Sequence, residues 1–426
     1  MDISVLLDDI CKVADSGEIY TLKHESTSLG FIDGRAKDAS RKQEYGSAVR
    51  LLKDGRIGFS SARGPAELKS VIERALSSAR FGEEADFQFT KSSPFSRPIT
   101  YSDTAERLTL DRMREIGESV SAGIKEKCPD GVVQVSVGIG IAEHRIVNTA
   151  GTDVSEKFSH FYIGAGVEWV RGEEILLMHT FEVSVKVDEF VKKVVSDILR
   201  QLDWCKREAK LTSGAKEVLF GAKGGLSVVL VPLMAGLNGE NIARRTSPLL
   251  SRTGEKLFSE RLTLFDDGTL DYRVGSAVFD CEGTPVRKNA LIENGILKGF
   301  IFDLKFGAMA KAASTGNGKR TSVATLPRPS FNNLVILRGD TPLEEMIKGV
   351  EDGVYIESAL GVGQGNIISG AFSNPLGLAF RIERGEVTGK IGKASVAGNV
   401  YEILKRVEAV SKETGWWGMG RFHTFL

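Results

Sequence analysis

Hydrophobic positions recur along this 426-residue chain with two periods that alternate in blocks. Ile3, Leu6, Leu7, Ile10, Val13 and Ala14 share one face at a spacing of three to four, which predicts a packed helix over 2–15. The period then shortens to two. Strands are predicted over 18–32 and 43–52, and Asp54-Gly55 turns the chain back into Ile57-Gly58-Phe59. Gly64-Pro65 opens a helix carried by Leu68, Val71, Ile72, Ala75, Leu76 and Ala79, with Pro in the first turn, where its missing N–H costs nothing. Residues 83–103 are polar and read as a surface loop. A helix is expected over 104–127, with Leu108, Ile116, Val120 and Ile124 inward and Pro129-Asp130-Gly131 ending it. Residues 132–187 alternate in the β manner, broken by turns at 148–151 and 171–173, and 188–207 returns to the helical period.

The stretch 210–225 is small, polar and Gly-containing, so a domain boundary is expected there, between an N-terminal domain at 1–210 and a C-terminal domain at 211–426. The apolar run 226–231 is expected as a buried strand and 232–245 as a helix beginning at Pro232. The densest turn chemistry lies in 254–320. Phe279-Asp280-Cys281-Glu282-Gly283-Thr284-Pro285 ends a strand in a tight turn, and Asn294-Gly295 is a hairpin signal because both residues must take positive φ. Further strands are expected at 333–337, 354–357, 370–383 and 386–391. Helices are expected at 341–351, opened by the capping box Thr341-Pro342-Leu343-Glu344, and at 399–412, before a Gly/Trp-rich tail at 415–420. Helices and strands come grouped rather than strictly alternating. The predicted fold class is therefore α+β in two domains, sheet-plus-helices first and β-rich second.

Composition narrows the function. Lys+Arg and Asp+Glu both total 56, so the chain lacks the basic surplus that gripping a phosphate backbone requires, and direct nucleic-acid binding is not expected. Cys11, Cys128, Cys205 and Cys281 are widely spaced with no CxxC, which excludes zinc ribbons and fingers and reads as free thiols in a reducing compartment. The N-terminus MDISVLLDDICKV is acidic where a signal peptide is basic, and the longest apolar run, 226–237, is too short to span a bilayer. A cytoplasmic protein without a membrane partner is expected.

A zinc peptidase helix needs two histidines on one face with a glutamate beside the first. His24-Glu25 is the one His-Glu pair here, and no second histidine follows at the required spacing. His160 and His179 lie on strands that can neighbour each other, so a stand-alone peptidase with a non-standard metal site built from them and the carboxylates around Asp280 stays open. Asp266, Asp267, Asp280 and Glu282 are equally ordinary turn formers. Cys281 sits between Asp280 and Glu282, whose charges oppose a thiolate, and no G-x-S-x-G elbow exists. The Gly-rich segment 361–366 leads into a strand-like run, as an inter-strand turn would, not into the helix a phosphate cradle needs. The loop Ser314-Thr315-Gly316-Asn317-Gly318-Lys319-Arg320 offers backbone N–H groups and two cations after a helix. Ser314, Thr315, Gly316, Asn317 and Gly318 are the residues expected to touch a substrate, against the alternative of a helix-ending loop with Gly at the C-cap.

Several of these motifs occur in one order along a family pattern: Asp54-Gly55-Arg56-Ile57-Gly58, Asp266-Asp267-Gly268, Phe279 through Pro285, Leu291 through Gly299, Ser314 through Gly318, Gly363-Gln364-Gly365 with Ser369-Gly370, and Ile382 through Val387. The chain resembles the TldD/PmbA family, also called the modulator of DNA gyrase family, over nearly its whole length. The resemblance implies two α+β domains whose chains dimerise around an internal cavity, where an extended peptide is held by strand pairing. TldD-type members carry His-Glu-x-x-x-His and a later Cys as metal ligands. PmbA-type members, also called TldE, lack them and pair with a TldD-type chain. The motif's place here is taken by Val231-Pro232-Leu233-Met234-Ala235-Gly236-Leu237, and no Cys follows Cys281. The implied protein is a non-catalytic PmbA/TldE-like subunit with no metal of its own, zinc being expected in a TldD-like partner. It would form a heterodimer with that partner, a homodimer when alone, and would handle extended or unfolded peptides; the remaining alternative is a peptide-binding scaffold without a proteolytic role. Family members usually continue into a further strand segment after the Trp/Gly-rich tail, whereas this sequence ends at Phe422-His423-Thr424-Phe425-Leu426.

Overall fold

Asp33-Gly34 and Asp54-Gly55 all take positive φ (48°, 76°, 51° and 70°), so the chain reverses twice through turns whose twist matches that of paired strands. These turns lay down β1 (Ser16–Ile32), β2 (Arg35–Lys53) and β3 (Arg56–Arg63) side by side. With β4 (Val132–Asn148), β5 (Asp153–Arg171) and β6 (Glu174–Ser184) they form one antiparallel sheet in the order β3-β2-β1-β4-β5-β6. The computed structural model describes residues 5–64, 67–187 and 190–413. Residues 2–4 of the first expected helix, Pro65, residue 188 and the tail at 415–426 lie outside the described residues.

Strict alternation divides this sheet into two faces. The odd-numbered positions of β1 and β4 face helices. At one end Ile19, Val49, Leu51 and Val147 pack against α1 (Val5–Val13) and α2 (Leu68–Ala79). At the other, Leu29, Phe31, Val133, Val135 and Val137 pack against α4 (Leu110–Lys125) and α5 (Val191–Trp204). The even face carries Tyr20, Ala48 and Ile146 against Phe279, Cys281 and Val323 of the second half.

The helix expected over 104–127 is two pieces, α3 (Asp103–Glu106) and α4. Thr109 interrupts it because its hydroxyl accepts from the Arg112 amide and starts a new helix. The stretch 83–103 is not wholly a surface loop, since Phe87 and Phe89 are buried in it.

The second half forms a sheet in the order β7-β17-β16-β15-β8, built from β7 (Glu208–Ala209), β8 (Glu217–Phe220), β15 (Asp352–Ala359), β16 (Ala371–Glu383) and β17 (Glu386–Ile391), with β18 (Ser395–Asn399) paired to β16. A smaller sheet, β11-β10-β9-β14, contains β9 (Leu264–Asp267), β10 (Lys288–Glu293), β11 (Ile296–Leu297) and β14 (Leu334–Ile336), beside the pair β12 (Gly318–Lys319) and β13 (Arg328–Pro329). The fold is α+β, as the grouping of periods predicts. We propose the division into 1–210 and 211–426 near the change of sheet, although β7 at 208–209 already pairs with β17 of the second sheet. One core nevertheless crosses it, because Trp204 at the end of α5 meets Tyr355 and Phe380 edge-on at 5.2 and 5.1 Å.

Three further expectations are corrected. The run 226–231 is not a strand; it belongs to α6 (Ser227–Leu237), which contains Pro232, and α7 (Gly239–Ala243) follows. A short continuous apolar run has no period to separate strand from buried helix, and α6 is packed on most sides. The capping box at Thr341 does not form, since Pro342 is the N-cap of α9 (Leu343–Lys348) and no side chain caps it. The helix expected over 399–412 stops early, as α10 (Val400–Ile403) and one 3₁₀ turn, because the Ser259 amide and hydroxyl take the carbonyls of Leu404 and Val407.

Gly225 sets the start of α6: a Cβ there would lie 1.9 Å from the Ile356 carbonyl oxygen of β15. Gly225→Ala is expected to lower stability by about 1–3 kcal/mol through displacement of α6 from the sheet, read as a shift in the urea midpoint.

Candidate functional site

Two places in the molecule concentrate polar groups or family-defining residues. One is the seam where the 280–320 stretch enters the first sheet; the other is the outward side of α6.

At the seam, Glu18 on β1 and Arg50 on β2 are direct cross-strand partners. Arg50 Nε lies 2.9 Å from Glu18, and Arg50 Nη1 donates to Glu282 at 2.7 Å. Arg320 Nη2 donates to the same Glu18 oxygen at 2.7 Å. All four side chains are buried. Phe87 and Phe89 lie over the Arg50 guanidinium, 5.0 and 5.1 Å from ring centroid to carbon, and help close it from water. Burial works against the Arg50 charge, yet the carboxylates of Glu18 and Glu282 hold its pKa above the ordinary value.

Around this core the carboxyls are pushed the other way. Burial raises Glu282 against the pull of Arg50; the Arg50 contact and the Leu304 amide, 2.8 Å from its other oxygen, favour its ionised form. Burial and the neighbouring Glu282 raise Asp280 well above the carboxylate range and push Asp303 up to about 8. Asp303 caps α8 (Leu304–Met309) by accepting from the Phe306 amide. Asp266 is pushed up to about 6 by burial, despite hydrogen bonds from Asn317 and Asn332. Asp280 accepts from the amides of Glu282, Thr284 and Gly318, at 2.9, 3.0 and 2.8 Å. These carboxyls are turn formers and helix caps.

The expected substrate loop faces inward. Gly316, Asn317 and Gly318 are buried, while Ser314 and Thr315 are half-buried. The Asn317 amide donates to Asp266 and to the Ser330 carbonyl, and its oxygen accepts from Thr315 and Asn289. Lys319 and Arg320 are not exposed cations as the sequence suggests; both are buried, Arg320 in the ion pair with Glu18.

The histidines do not converge. His160 pairs with Gly140 on β4, and its ring stacks on His24 at 6.1 Å. His179 pairs with Gly166, six residues further along β5, about 20 Å away. Burial, with His24 alongside, holds the His160 imidazole down at about 4, so it stays neutral. The histidine that reaches the 280 stretch is His144, stacked on Phe279 at 5.0 Å and opposite Glu156. Sequence reasoning missed Glu18, Arg50 and His144. The available signal was a lone charge inside an apolar run, as in Ala48-Val49-Arg50-Leu51-Leu52. Among the described residues no group of three His, Cys, Asp or Glu side chains is arranged to hold a metal ion.

On α6, Val231, Met234 and Ala235 form a half-exposed stripe at i, i+3 and i+4. The far end of the helix is moored by polar bonds. Asn241 donates to the Ala235 carbonyl at 2.8 Å, Ser247 donates to the Gly236 carbonyl at 2.6 Å, and Asn238 caps α7 while donating to the Pro329 carbonyl.

Comparison with known proteins assigns the lineage. The family model described as PmbA/TldA metallopeptidase C-terminal domain matches residues 213–424, and that of PmbA/TldA metallopeptidase domain 1 matches 17–79. The metalloprotease TldD homolog of Buchnera aphidicola subsp. Acyrthosiphon pisum is 34% identical over 443 residues, covering 97% of this chain and 88% of that protein. The chain belongs to the PmbA/TldD family. The TldD homolog of Haemophilus influenzae is 32% identical over 434 residues, covering 94% and 86%. Among solved structures, TldE from Thermococcus kodakarensis matches with a TM-score of 0.90 at 25% identity, covering 99% of this chain and 97% of that one. No helix among the described residues is long and apolar enough to cross a membrane.

The segment that the family resemblance assigns to the metal motif, 231–237, is thus the moored helix α6. Its outward groups are two aliphatic side chains and a thioether, which do not fit a zinc site built from imidazole, thiolate or carboxylate. Glu240, just beyond, is engaged by Arg244 and Arg328.

Two outcomes follow from the seam. Arg50→Met leaves Glu18 and Glu282 buried with less compensation and is expected to cost about 3–5 kcal/mol in denaturant unfolding. Asp303 binds its proton more tightly folded than unfolded, so its contribution is complete below about pH 4 and is lost as pH rises towards about 8. Asp303→Asn keeps an N-cap and is expected to flatten that decline, measured as the thermal midpoint against pH; a curve parallel to the parent's would refute the protonated assignment.

Proposed function

We propose that this chain is a PmbA/TldE-like, non-catalytic subunit of a TldD/TldE-type metallopeptidase complex that processes or degrades unfolded peptides. The observation that carries the reading is the segment Val231-Pro232-Leu233-Met234-Ala235-Gly236-Leu237 of α6, which by the resemblance takes the place of the His-Glu-x-x-x-His motif, holds no His or Glu, and turns only Val231, Met234 and Ala235 partly outward. Aliphatic and thioether side chains are not the imidazole, thiolate or carboxylate ligands of a zinc site and cannot act as a general base, so catalysis would belong to a partner with its own zinc. In support, the helix is moored by Asn238, Asn241 and Ser247, as a packing element would be.

In this reading the working assembly is a heterodimer with a TldD-like chain in the cytoplasm, and the protein self-associates when that chain is absent. Peptide recognition would rest on strand pairing, which uses backbone groups and tolerates many sequences. Within the loop Ser314–Gly318, such contact would be confined to Ser314 and Thr315, the two residues not fully buried.

Co-expression with a TldD-like chain from the same genome tests the proposal. The two are expected to co-elute, an unstructured peptide is expected to be cleaved only when both are present, and this chain alone is expected to carry less than stoichiometric zinc. Hydrolysis by this chain alone with one bound zinc, or failure to co-elute, refutes it.

A further inference from the structure

In the first sheet β2 runs well past the strand on its outer side. β1 pairs with β2 from Arg35 to Leu52, whereas β3 pairs with 46–53 alone. From Arg35 to Glu44 the outer edge of β2 therefore has no strand partner among the described residues. The Tyr45 carbonyl, which accepts from the Gly64 amide, points to that side. By alternation the N–H and C=O groups of Ala39, Arg41 and Gln43 point there too. The side chains of these three residues are exposed, as are those of Asp38 and Lys42 on the other face. A β-bulge at Lys37, where Gly30 faces Asp38 and Phe31 faces Ala36, ends the regular part of the edge.

Charges along an open edge oppose pairing with an arbitrary strand, so a partner has to set opposite charges against them. The edge does this for itself. When a second copy runs antiparallel with the two-fold axis at Ser40, Ala39 exchanges backbone hydrogen bonds with Arg41 of the second copy. Asp38 then lies opposite Lys42 of the second copy, once on each side of the axis. Asp38 and Lys42 make no ion pair among the described residues, whereas Arg41 and Glu44 are already engaged by Glu25 and Arg63, at 3.8 and 3.9 Å. Neighbouring registers set like charges together. Sliding the copies by one repeat in one direction puts Arg41 against its own counterpart and Asp38 against Glu44; sliding them in the other puts Lys37 against Arg41.

We propose that the outer edge of β2 at 38–42 is where two copies of this chain join, as antiparallel strands about a two-fold axis at Ser40, so that the first sheet continues from one copy into the next. This pairing supplies the surface for the self-association proposed above, on which it rests, and depends on no part of the metallopeptidase reading.

Sedimentation of the full chain at concentrations up to about 1 mM, with disulfide trapping in a Cys11→Ser background, tests this. So short a contact is expected to give a dimer with a Kd on the order of 100 μM. D38K and K42D are each expected to weaken it at least about tenfold, and the swap D38K/K42D to return it to within about threefold of the parent, because the swap restores both opposed pairs. That rescue separates pairing from damage to the fold. Across the axis the two Ser40 Cα atoms lie about 4.5 Å apart, within disulfide reach, so Ser40→Cys is expected to cross-link under oxidised glutathione. Gln43→Cys, whose counterpart lies about 20 Å away, is not. A dimer indifferent to D38K and K42D, or trapping at Gln43→Cys as fast as at Ser40→Cys, puts the two-fold axis elsewhere and overturns the proposal while self-association stands. A monomer at about 1 mM overturns both. Shielding of Ser40→Cys from alkylation only when a TldD-like chain is added gives the edge to that chain and likewise overturns the proposal.

Discussion

The Arg50 guanidinium, held between Glu18 and Glu282 at 2.9 and 2.7 Å, is the constraint on which the rest of the molecule depends. An ion taken out of water costs several kcal/mol, and the cost is offset only when every partner is in place. Two of those partners, Glu282 and Arg320, come from the second half of the chain and join β1 and β2 of the first. The first sheet therefore cannot bury its own Glu18–Arg50 pair in a satisfied state until the 280–320 stretch has docked. This ties the halves into one shell more firmly than apolar contact between Tyr20, Ile146 and Phe279 would alone. It also accounts for Phe87 and Phe89, which sit inside an otherwise polar connection because the ion pair has to be covered.

The same stretch shows how acidic residues serve structure without chemistry. Asp280 receives three backbone amides and shapes the turn through Gly283, Asp303 starts α8, and Asp266 meets Asn317 and Asn332. Their raised pKa values follow from burial near one another, and among the described residues no group of three His, Cys, Asp or Glu side chains is arranged to hold a metal ion. Perturbed titration at a functional site is a probabilistic signal, and here the hydrogen-bond geometry assigns it to architecture. The α6 helix is the complementary case: its mooring is complete while its outward groups are inert. A helix held this firmly serves as a packing element of the fold.

Much of the fold was legible in the chain. The paired positive-φ turns Asp54-Gly55 and Asn294-Gly295 stand where the sequence places them, and the strands from 132 to 187 follow their alternation. Helices failed where tertiary groups intervened: Thr109 recapped one, Ser259 captured the end of another, and Val228-Val229-Leu230-Val231 carried no period to distinguish helix from strand. The candidate site was less legible. Ser314 through Gly318 has the composition of an exposed anion loop, and only the position of Asp266 and Asp280 turns it inward. His160 and His179 are close in the strand order yet separated by register, which short-range pattern cannot specify.

By itself, the sequence determined the family, the α+β grouping, the tight turns and the absence of ligand side chains at 231–237, since each is a matter of residue identity and local backbone preference. The tertiary structure decided which charges are buried together, which face of α6 looks outward, and which stretch of β2 is left without a strand partner among the described residues. Those depend on contacts between residues far apart in the chain, such as Arg50 with Glu282 and Glu18 with Arg320, whose energies come from shared burial and are invisible to any local period.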